Sequence, residues 1–450
     1  MEIDLKDDAI RYVLRKRRKE LNKSMDDLQD HLISKGTISN IEKAKGKVTP
    51  KMIEIYLEKL GLTEDEVVNL ANEATKEMSE YYDQLEIIET IIDRSYLPTA
   101  KKQLQKFQFA DYYPLTPYIC YLQGKICYEE KQYDQAEDHF YHAIKLCHHY
   151  RFRPKDNIVA ACYAELARCK YSREHVDQAI QLVNLGLDRY DETKRKKGVK
   201  YRLLGNKILY LLRSSQEDQA ARLLDIVWPE VEKLDHSYVD YPVLNLYKFR
   251  SIILRDQNLF TEALHYCNEG RRIAKSRWSS NIGRYLDFLI IAGSIFLMQK
   301  EFQKAYDRFQ LTIDSDPDFR SPRRHVEAYT YLGILFNSRQ DWQQASTYLD
   351  KAMKIEREHP DPFRLTKLLI VRGNVHHLQR QYSKALSYYQ KAVHLSEKYR
   401  YKQRQYTALL KLADCFDNLD EKEKFRDCLE RKFHLEKELH LKSEVEIYEI

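Results

Sequence analysis

The stretch GNVHHLQRQYSKALSYYQKA, from Gly373 to Ala392, carries the pattern that decides the fold of this chain. A small residue, Gly373, is followed twelve positions later by Ala385, four positions further by the bulky Tyr389, and three further by Ala392. Small residues let two helices cross closely, and an aromatic ring fills the gap between them. Since the polar segment RQYSKA favours a turn, the stretch predicts a pair of helices packed against each other.

The same pattern recurs along most of the chain. Small residues at 124, 167, 251, 293, 333 and 373 are each followed by alanine after twelve positions, and the alanines of the second helices, with Ala220, recur every 40 to 43 residues. The pattern resembles the tetratricopeptide repeat over roughly residues 80 to 435, although that repeat usually has a period of about 34 residues. It predicts a right-handed superhelix of about eight or nine helix pairs, each contacting its neighbours, with longer helices than usual.

A second pattern precedes the repeats, in SKGTISNIEKAKGKV from Ser34 to Val48. Ile38 and Ile41 lie on one side of the predicted helix, small hydrogen-bonding residues lie on the other, and lysines follow its end. Ser24, followed by Asp26 and Asp27, predicts the beginning of another helix, and Thr49-Pro50 predicts a further one. Residues 7 to 62 therefore favour a compact domain of five short helices.

This domain resembles the helix-turn-helix of phage repressors, with matches at Leu28, Ile38, Ile41, Glu42 and the segment IYLEKLGL, 55–62. In that family the first residues of the recognition helix reach base edges in the major groove. The resemblance implies base contacts from Lys35, Gly36, Thr37 and Asn40, and phosphate contacts from Lys43, Lys45 and Lys47. It also implies a structural pair between Arg18 and Glu42.

Two features of this domain bear on its affinity for DNA. Met25, Asp26 and Asp27 stand where the family has a hydrogen-bond donor, so we expect modest binding unless two copies bind together. For RKRRKE, residues 15–20, we expect a solvated helix face with pairing inside the helix, rather than direct phosphate contacts.

The sequence thus predicts an all-α chain with a simple order of domains. The helix-turn-helix domain occupies residues 1–64, a helical linker 65–80, the repeats 81–435 and a charged capping helix 436–450.

The first helix of each repeat lines the concave groove of such a superhelix. Side-chain amides can bind the unpaired N–H and C=O groups of an extended peptide, and cations can bind its carboxylate. Any one of these polar residues could instead be ordinary wet surface. The groove candidates are Lys125, Tyr128, Arg168, Tyr171, Asn206, Lys248, Arg255, Asn337, Asn374 and His377.

The combination of domains resembles the Rap, NprR, PlcR and PrgX group of peptide-pheromone receptors, most closely its NprR-like members. The resemblance implies a cytoplasmic, dimeric, quorum-sensing transcription regulator that binds operator DNA and is switched by a short signalling peptide. It also implies that Asn206, Asn337 and Asn374 hold the peptide backbone. The alternative is a regulator that acts by protein contact, on a response regulator or a kinase, with little or no DNA role.

Composition agrees with an intracellular protein that is not an enzyme. Net charge is only +6, so DNA binding must come from a local patch. We find no signal peptide and no apolar run long enough to span a membrane, and the eight cysteines form no CxxC pair. No nucleophile–base pair, phosphate loop or metal-ligand cluster is present in the sequence, and we expect no cofactor and no metal.

Overall fold

The structure is a computed structural model, and it describes residues 3–234, 241–276 and 278–439. Within these ranges the backbone is helical with connecting turns, and the extended pairing is limited to an isolated bridge between Asp156 and Arg195. The chain divides into two compact units, Met1–Leu203 and Leu204–Ile450. The predicted all-α class is confirmed.

The first unit begins with five helices: α1 Asp8–Glu20, α2 Met25–Leu28, α3 Lys35–Lys43, α4 Pro50–Leu60 and α5 Glu64–Asp93. Ser24 and Thr63 cap α2 and α5 through reciprocal bonds with the third helical residue, which satisfy N–H groups left open at a helix start. Pro50 occupies the first turn of α4, as predicted. Because α5 is one continuous helix, it connects the small domain directly to the repeats.

Apolar side chains from these helices form a core beneath α3. Leu14 of α1, Ile38 and Ile41 of α3 and Tyr56 of α4 are fully buried in it. Burial of such side chains contributes about 1.5–3 kcal/mol each. The core therefore packs against the apolar side of α3, and the opposite side of the helix faces away from the core.

The remaining helices form the repeats. A short helix, α6, Leu97–Leu104, comes first. Eight helix pairs follow it: α7 Thr116–Glu129 with α8 Tyr133–Tyr150, α9 Ile158–Ser172 with α10 Val176–Asp188, α11 Gly198–Arg213 with α12 Glu217–Val231, α13 Tyr241–Asp256 with α14 Phe260–Ser276, α15 Trp278–Met298 with α16 Phe302–Asp314, α17 Pro322–Ser338 with α18 Trp342–Glu358, α19 Pro362–Leu378 with α20 Tyr382–Lys398, and α21 Lys402–Asn418 with α22 Lys422–Glu438.

Close crossing inside each pair explains the small residues of the pattern. A methyl group on Gly124 would lie 2.5 Å from the ring of Phe140, and one on Gly293 would lie 2.6 Å from Phe309. Gly373 has the same relation to the ring of Tyr389. The second-helix alanines, among them Ala385, are fully buried. The predicted packing of small and bulky residues is confirmed at these crossings.

The end of the chain is only partly described. Helix α22 ends at Glu438, and the predicted capping helix of residues 436–450 lies mostly outside the described residues. In the parts of the chain that the structure describes, no helix is long and apolar enough to cross a bilayer. The eight cysteines are free thiols, and most of them are buried.

Candidate functional sites

Helix α3 presents the side that the sequence assigns to DNA. Its start is fixed by Ser34, whose hydroxyl accepts a hydrogen bond from the backbone N–H of Thr37 at 3.1 Å. With Ile38 and Ile41 buried, the opposite side of the helix faces away from the core. That side carries the four residues expected at base edges, all exposed or half-buried: Lys35, Gly36, Thr37 and Asn40.

One of the two acids at the start of α2 pairs with one of these residues. Lys35 Nζ lies 2.7 Å from a carboxylate oxygen of Asp26, and both side chains are 56 % exposed. An ion pair in open solvent contributes about 0–1 kcal/mol. The Lys35 ammonium can therefore exchange this partner for DNA at little cost.

The loop after α3 holds two further lysines beside Asn40. The backbone N–H of Lys45 donates to the carbonyl of Asn40 at 2.9 Å, and Lys45 and Lys47 are exposed. Gly46 has φ +68°, and a methyl group there would lie 3.4 Å from the Asn40 amide nitrogen. This tight turn keeps Lys45 next to α3, where a phosphate contact is expected, and Lys47 follows it in the exposed loop.

Lys43 differs from the other two lysines because it is half-buried. Burial lowers the pKa of Lys43, and the nearby positive charge of Arg15 lowers it further. Burial also lowers the pKa of His149 on α8, with Lys43 and Arg15 as the next causes. The end of α3 thus lies beside α8, and Lys43 is less accessible than Lys45 and Lys47.

The carboxylate of Glu42 holds α3 against α1 and α4, and the predicted pair between Arg18 and Glu42 is present. Arg18 donates to both carboxylate oxygens of Glu42, at 2.7 and 3.0 Å, and Tyr56 donates to one of them at 2.7 Å. Arg15 donates to the same carboxylate at 3.2 Å. Burial opposes ionisation of Glu42, which is fully buried, but these donors outweigh it and lower its pKa.

This network corrects the prediction of a solvated face at RKRRKE. Arg15 and Arg18 are buried on Glu42, whereas Arg17 lies 4.0 Å from Glu20 in the expected pairing inside the helix. The two buried arginines lie on one side of α1, and that side meets α3. A dense run of charged residues in a sequence usually indicates a helix face exposed to solvent. Here a buried acid on another helix pairs with two of these arginines, and they are buried with it.

The other buried arginine of α1 joins the small domain to the first repeat. Arg11 donates to the carbonyls of Tyr150 and Arg151, at 3.1 and 3.0 Å, and the backbone N–H of Arg153 donates to Asp8 at 2.7 Å. The carbonyls at the end of α8 have no partner inside their helix, so a guanidinium satisfies them. The small domain is therefore docked on α8 in addition to its connection through α5.

The groove candidates of the first unit take part in internal contacts. Lys125 is buried between Glu89 and Asp93, at 3.1 and 2.6 Å. Arg168 stacks over the ring of Tyr128 at 4.1 Å and also donates to Glu165. The remaining candidate of this unit, Tyr171, is half-buried on α9.

Several candidates of the second unit also have partners within it. Asn374 accepts a hydrogen bond from Tyr389 at 2.7 Å, and His377 Nε2 lies 2.8 Å from Asp414. Arg255 donates to Ser294 at 2.9 Å.

Lys248 lies 3.6 Å from Asp287. Its pKa is lowered to about 8 by burial first, against the opposing charge of Asp287, and then by neighbouring arginines.

Two asparagine side chains each have a buried polar atom without a hydrogen-bond partner among the described residues. The amide nitrogen of Asn206 and the amide oxygen of Asn337 are buried without a hydrogen-bond partner among the described residues. A buried polar atom without a partner costs about 1–3 kcal/mol. A peptide backbone offers both a donor and an acceptor, so it could satisfy either amide.

A set of charged residues on the first helices of the later repeats was not predicted from the sequence. Asp287 accepts hydrogen bonds from Arg324 at 3.0 and 3.2 Å, and Glu327 accepts one from Lys367 at 2.6 Å. The available signal was an arginine nine positions before the small residue of four successive repeats: Arg284, Arg324, Arg364 and Arg404.

Family models match segments in both parts of the chain. Residues 14–67 match the helix-turn-helix family model, and residues 117–147 and 324–398 match tetratricopeptide repeat models. These are binding modules rather than catalytic domains. No curated protein matches the sequence.

Solved structures similar to this one include quorum-sensing proteins. A Rap protein complexed with competence and sporulation factor is 14 % identical, with a TM-score of 0.56, over 82 % of this chain and 99 % of that one. NprR in complex with its cognate peptide NprX is 13 % identical, with a TM-score of 0.46, over 74 % and 93 %. Apo NprR from B. thuringiensis is 12 % identical, with a TM-score of 0.43, over 93 % and 99 %. The match to Rap shows a shared fold.

Proposed function

We propose that this chain, which joins a helix-turn-helix to tetratricopeptide repeats in the architecture of the Rap, NprR, PlcR and PrgX receptors, is a peptide-switched transcriptional regulator. It binds operator DNA through α3 as a homodimer joined through its repeats, and a short signalling peptide binds in the repeat groove. The observation that carries the DNA-binding part is the outward side of α3, held by buried Ile38, Ile41 and Glu42. Two copies reading half-sites about 34 Å apart would compensate for the small surface of one helix.

The proposal of peptide binding is supported by the amide nitrogen of Asn206 and the amide oxygen of Asn337, which are buried without hydrogen-bond partners among the described residues. It is also supported by the similar fold of a Rap protein, whose structure contains a signalling factor. A ligand that satisfies these amides binds one curvature of the repeats best, and so shifts the population toward it. Because Arg11 docks the small domain on α8, a changed curvature in the first repeats moves α3 with it.

The DNA contacts predict different effects for two neighbouring residues. DNA selected by the protein from a random duplex pool serves as the operator, and unselected duplex serves as the reference. Asn40→Ala is expected to reduce discrimination between the two by about 1–3 kcal/mol, since an asparagine amide can pair with adenine through two hydrogen bonds. Lys45→Ala is expected to weaken both complexes alike and to lower the salt slope by about one, because it loses a phosphate contact.

Lys76→Ala provides the matched control, since Lys76 is an exposed lysine on α5, away from α3. Fluorescence anisotropy at several salt concentrations measures all four proteins. Equal losses on both DNAs for Asn40→Ala would show that Asn40 does not read a base.

The switch is tested by its reciprocity. If a peptide changes DNA affinity by some factor, operator DNA must change peptide affinity by the same factor. Titration of a labelled peptide, recovered from a random hexapeptide pool on the full chain, with and without operator, measures this factor. If a peptide alters the affinity for DNA but operator DNA leaves the affinity for that peptide unchanged, the two-site switch is contradicted.

The second candidate is a regulator that acts by protein contact, and the position of Lys43 favours it. Because Lys43 is half-buried beside α8, it is poorly placed for the phosphate contact that the sequence predicts. The DNA selection separates the two candidates. Enrichment of a sequence supports the transcriptional regulator, and its complete absence supports the regulator that acts by protein contact.

A further inference from the structure

Four arginines stand at the same position of four successive repeats in the second unit. Arg284, Arg324, Arg364 and Arg404 lie on α15, α17, α19 and α21, and they follow one another every 40 residues. Equal spacing in a repeat array places side chains in a row along the stacked first helices. We call these four residues the arginine row.

A carboxylate from the preceding repeat accompanies the middle members of this row. Asp287, three positions after Arg284, accepts hydrogen bonds from Arg324 at 3.0 and 3.2 Å. Glu327, three positions after Arg324, lies 3.5 Å from Arg364. An acid three positions after one arginine thus pairs with the arginine of the next repeat.

The rule fails at the last member of the row. The position that should hold the acid for Arg404 is Lys367, three positions after Arg364, and Lys367 bonds to Glu327 instead. Within the described part of the chain, no carboxylate lies at ion-pair distance from Arg404, and its Nη1 atom is buried without a hydrogen-bond partner. Among the described residues Arg404 therefore has no carboxylate at ion-pair distance, and the more distant Glu327, whose charge raises the pKa of Arg404, bonds to Lys367 and lies 3.5 Å from Arg364.

A second guanidinium group lies on the same aromatic ring as Arg404. The guanidinium carbons of Arg404 and Arg213 lie 3.2 and 3.1 Å from the ring centroid of Phe363, so they occupy its two faces. Burial lowers the pKa of Arg404 to about 9, and the charge of Arg213 is the next cause. The ring positions both guanidinium groups, and their like charges favour an anion near them.

We infer that Arg404, Phe363 and Arg213 form a carboxylate-binding subsite that takes a carboxylate group of the groove peptide. The inference rests on the proposed peptide-binding function and adds the chemistry of the ligand. The peptide carboxylate occupies the place of the acid missing at position 367. Two parallel N–H···O bonds from a guanidinium match a carboxylate in geometry, and such charge-assisted bonds are about twice as strong as neutral ones.

The carboxylate has two possible sources, the C-terminus of the peptide or an Asp or Glu side chain. Full-length protein is incubated with random hexapeptides, either with a free C-terminus or amidated, and the retained peptides are identified by mass spectrometry. A C-terminal subsite retains the free acids about 10- to 100-fold better than the amides, as expected for hydrogen bonds to a charged group. A side-chain subsite retains both pools equally and enriches Asp or Glu at one position.

Two variants test the assignment to Arg404. Arg404→Gln removes the charge, so the preference for a carboxylate is expected to disappear. Lys367→Glu restores the acid of the repeat pattern and gives Arg404 an internal partner, at the expense of the bond between Lys367 and Glu327, so it is expected to remove the same preference while keeping Arg404. Lys384→Glu makes the same charge change at an exposed site on α20, and it is expected to retain the preference.

The outcomes separate this inference from the proposed function. Peptides retained by the unchanged protein without any carboxylate preference would overturn the subsite and leave peptide binding intact. Retention of no peptide from either pool would overturn both. Binding of inorganic phosphate, with the same loss in Arg404→Gln and with no peptide retained, would assign the site to a phosphate ligand and overturn the inference.

Discussion

Replacing Glu42 by glutamine is expected to destabilise the N-terminal domain by about 3–5 kcal/mol, the usual cost of removing one partner from a buried ion pair. Glu42 is fully buried and accepts hydrogen bonds from Arg15, Arg18 and Tyr56. An amide would leave two buried guanidinium groups without a counter-charge. Since the same carboxylate anchors α3, DNA binding is expected to fall together with stability.

Hydrogen exchange of the full chain measures this effect, because it reports opening of α1–α4 separately from the repeats. Glu54→Gln, at an exposed position of α4, makes the same chemical change without burial and is expected to leave protection unchanged. Equal protection in both variants would show that Glu42 does not hold the domain together.

The acid dependence of this domain follows from the same network. The pKa of Glu42 in the folded protein lies below its ordinary value of 4.5. The stabilisation is therefore fully present above about pH 4.5 and is lost as the pH falls through the lower, folded value. In Glu42→Gln this part of the acid dependence is expected to disappear.

Replacing Asp287 by asparagine is expected to destabilise the second unit by a similar amount, about 3–5 kcal/mol. Asp287 is buried and faces Lys248 at 3.6 Å, Arg324 at 3.0 Å and Arg284. Burial opposes its ionisation, but the charges of Arg324, Lys248 and Arg284 outweigh it and hold its pKa well below the usual range. Without this carboxylate, three cations on α13, α15 and α17 repel one another.

Hydrogen exchange is expected to show the loss of protection in α13, α15 and α17, with α1–α4 unchanged. Asp307→Asn, on the exposed side of α16, is the matched control. A variant of Asp287 that keeps full protection in these helices would show that the cations are neutralised by other groups.

The sequence by itself determined the repeats, because helix packing in an array is local and periodic. The close approach of Gly293 to Phe309 appears in the chain as a small residue sixteen positions before a ring, and the pairs Gly124–Phe140 and Gly373–Tyr389 have the same spacing. The outward side of α3 was equally predictable, since Ile38 and Ile41 fix which face is buried.

The Arg18–Glu42 pair was implied by the resemblance, but only the tertiary structure decided the other charge pairs. Arg15 was predicted on a solvated face, and it is buried because Glu42 approaches it from another helix. Helical periodicity gives the direction of a side chain but not its partner across the fold, and a charge is exposed or buried according to that partner. Arg404 and Arg213 meet Phe363 for the same reason: residues far apart in sequence are brought together by the curvature of the repeats within the second unit.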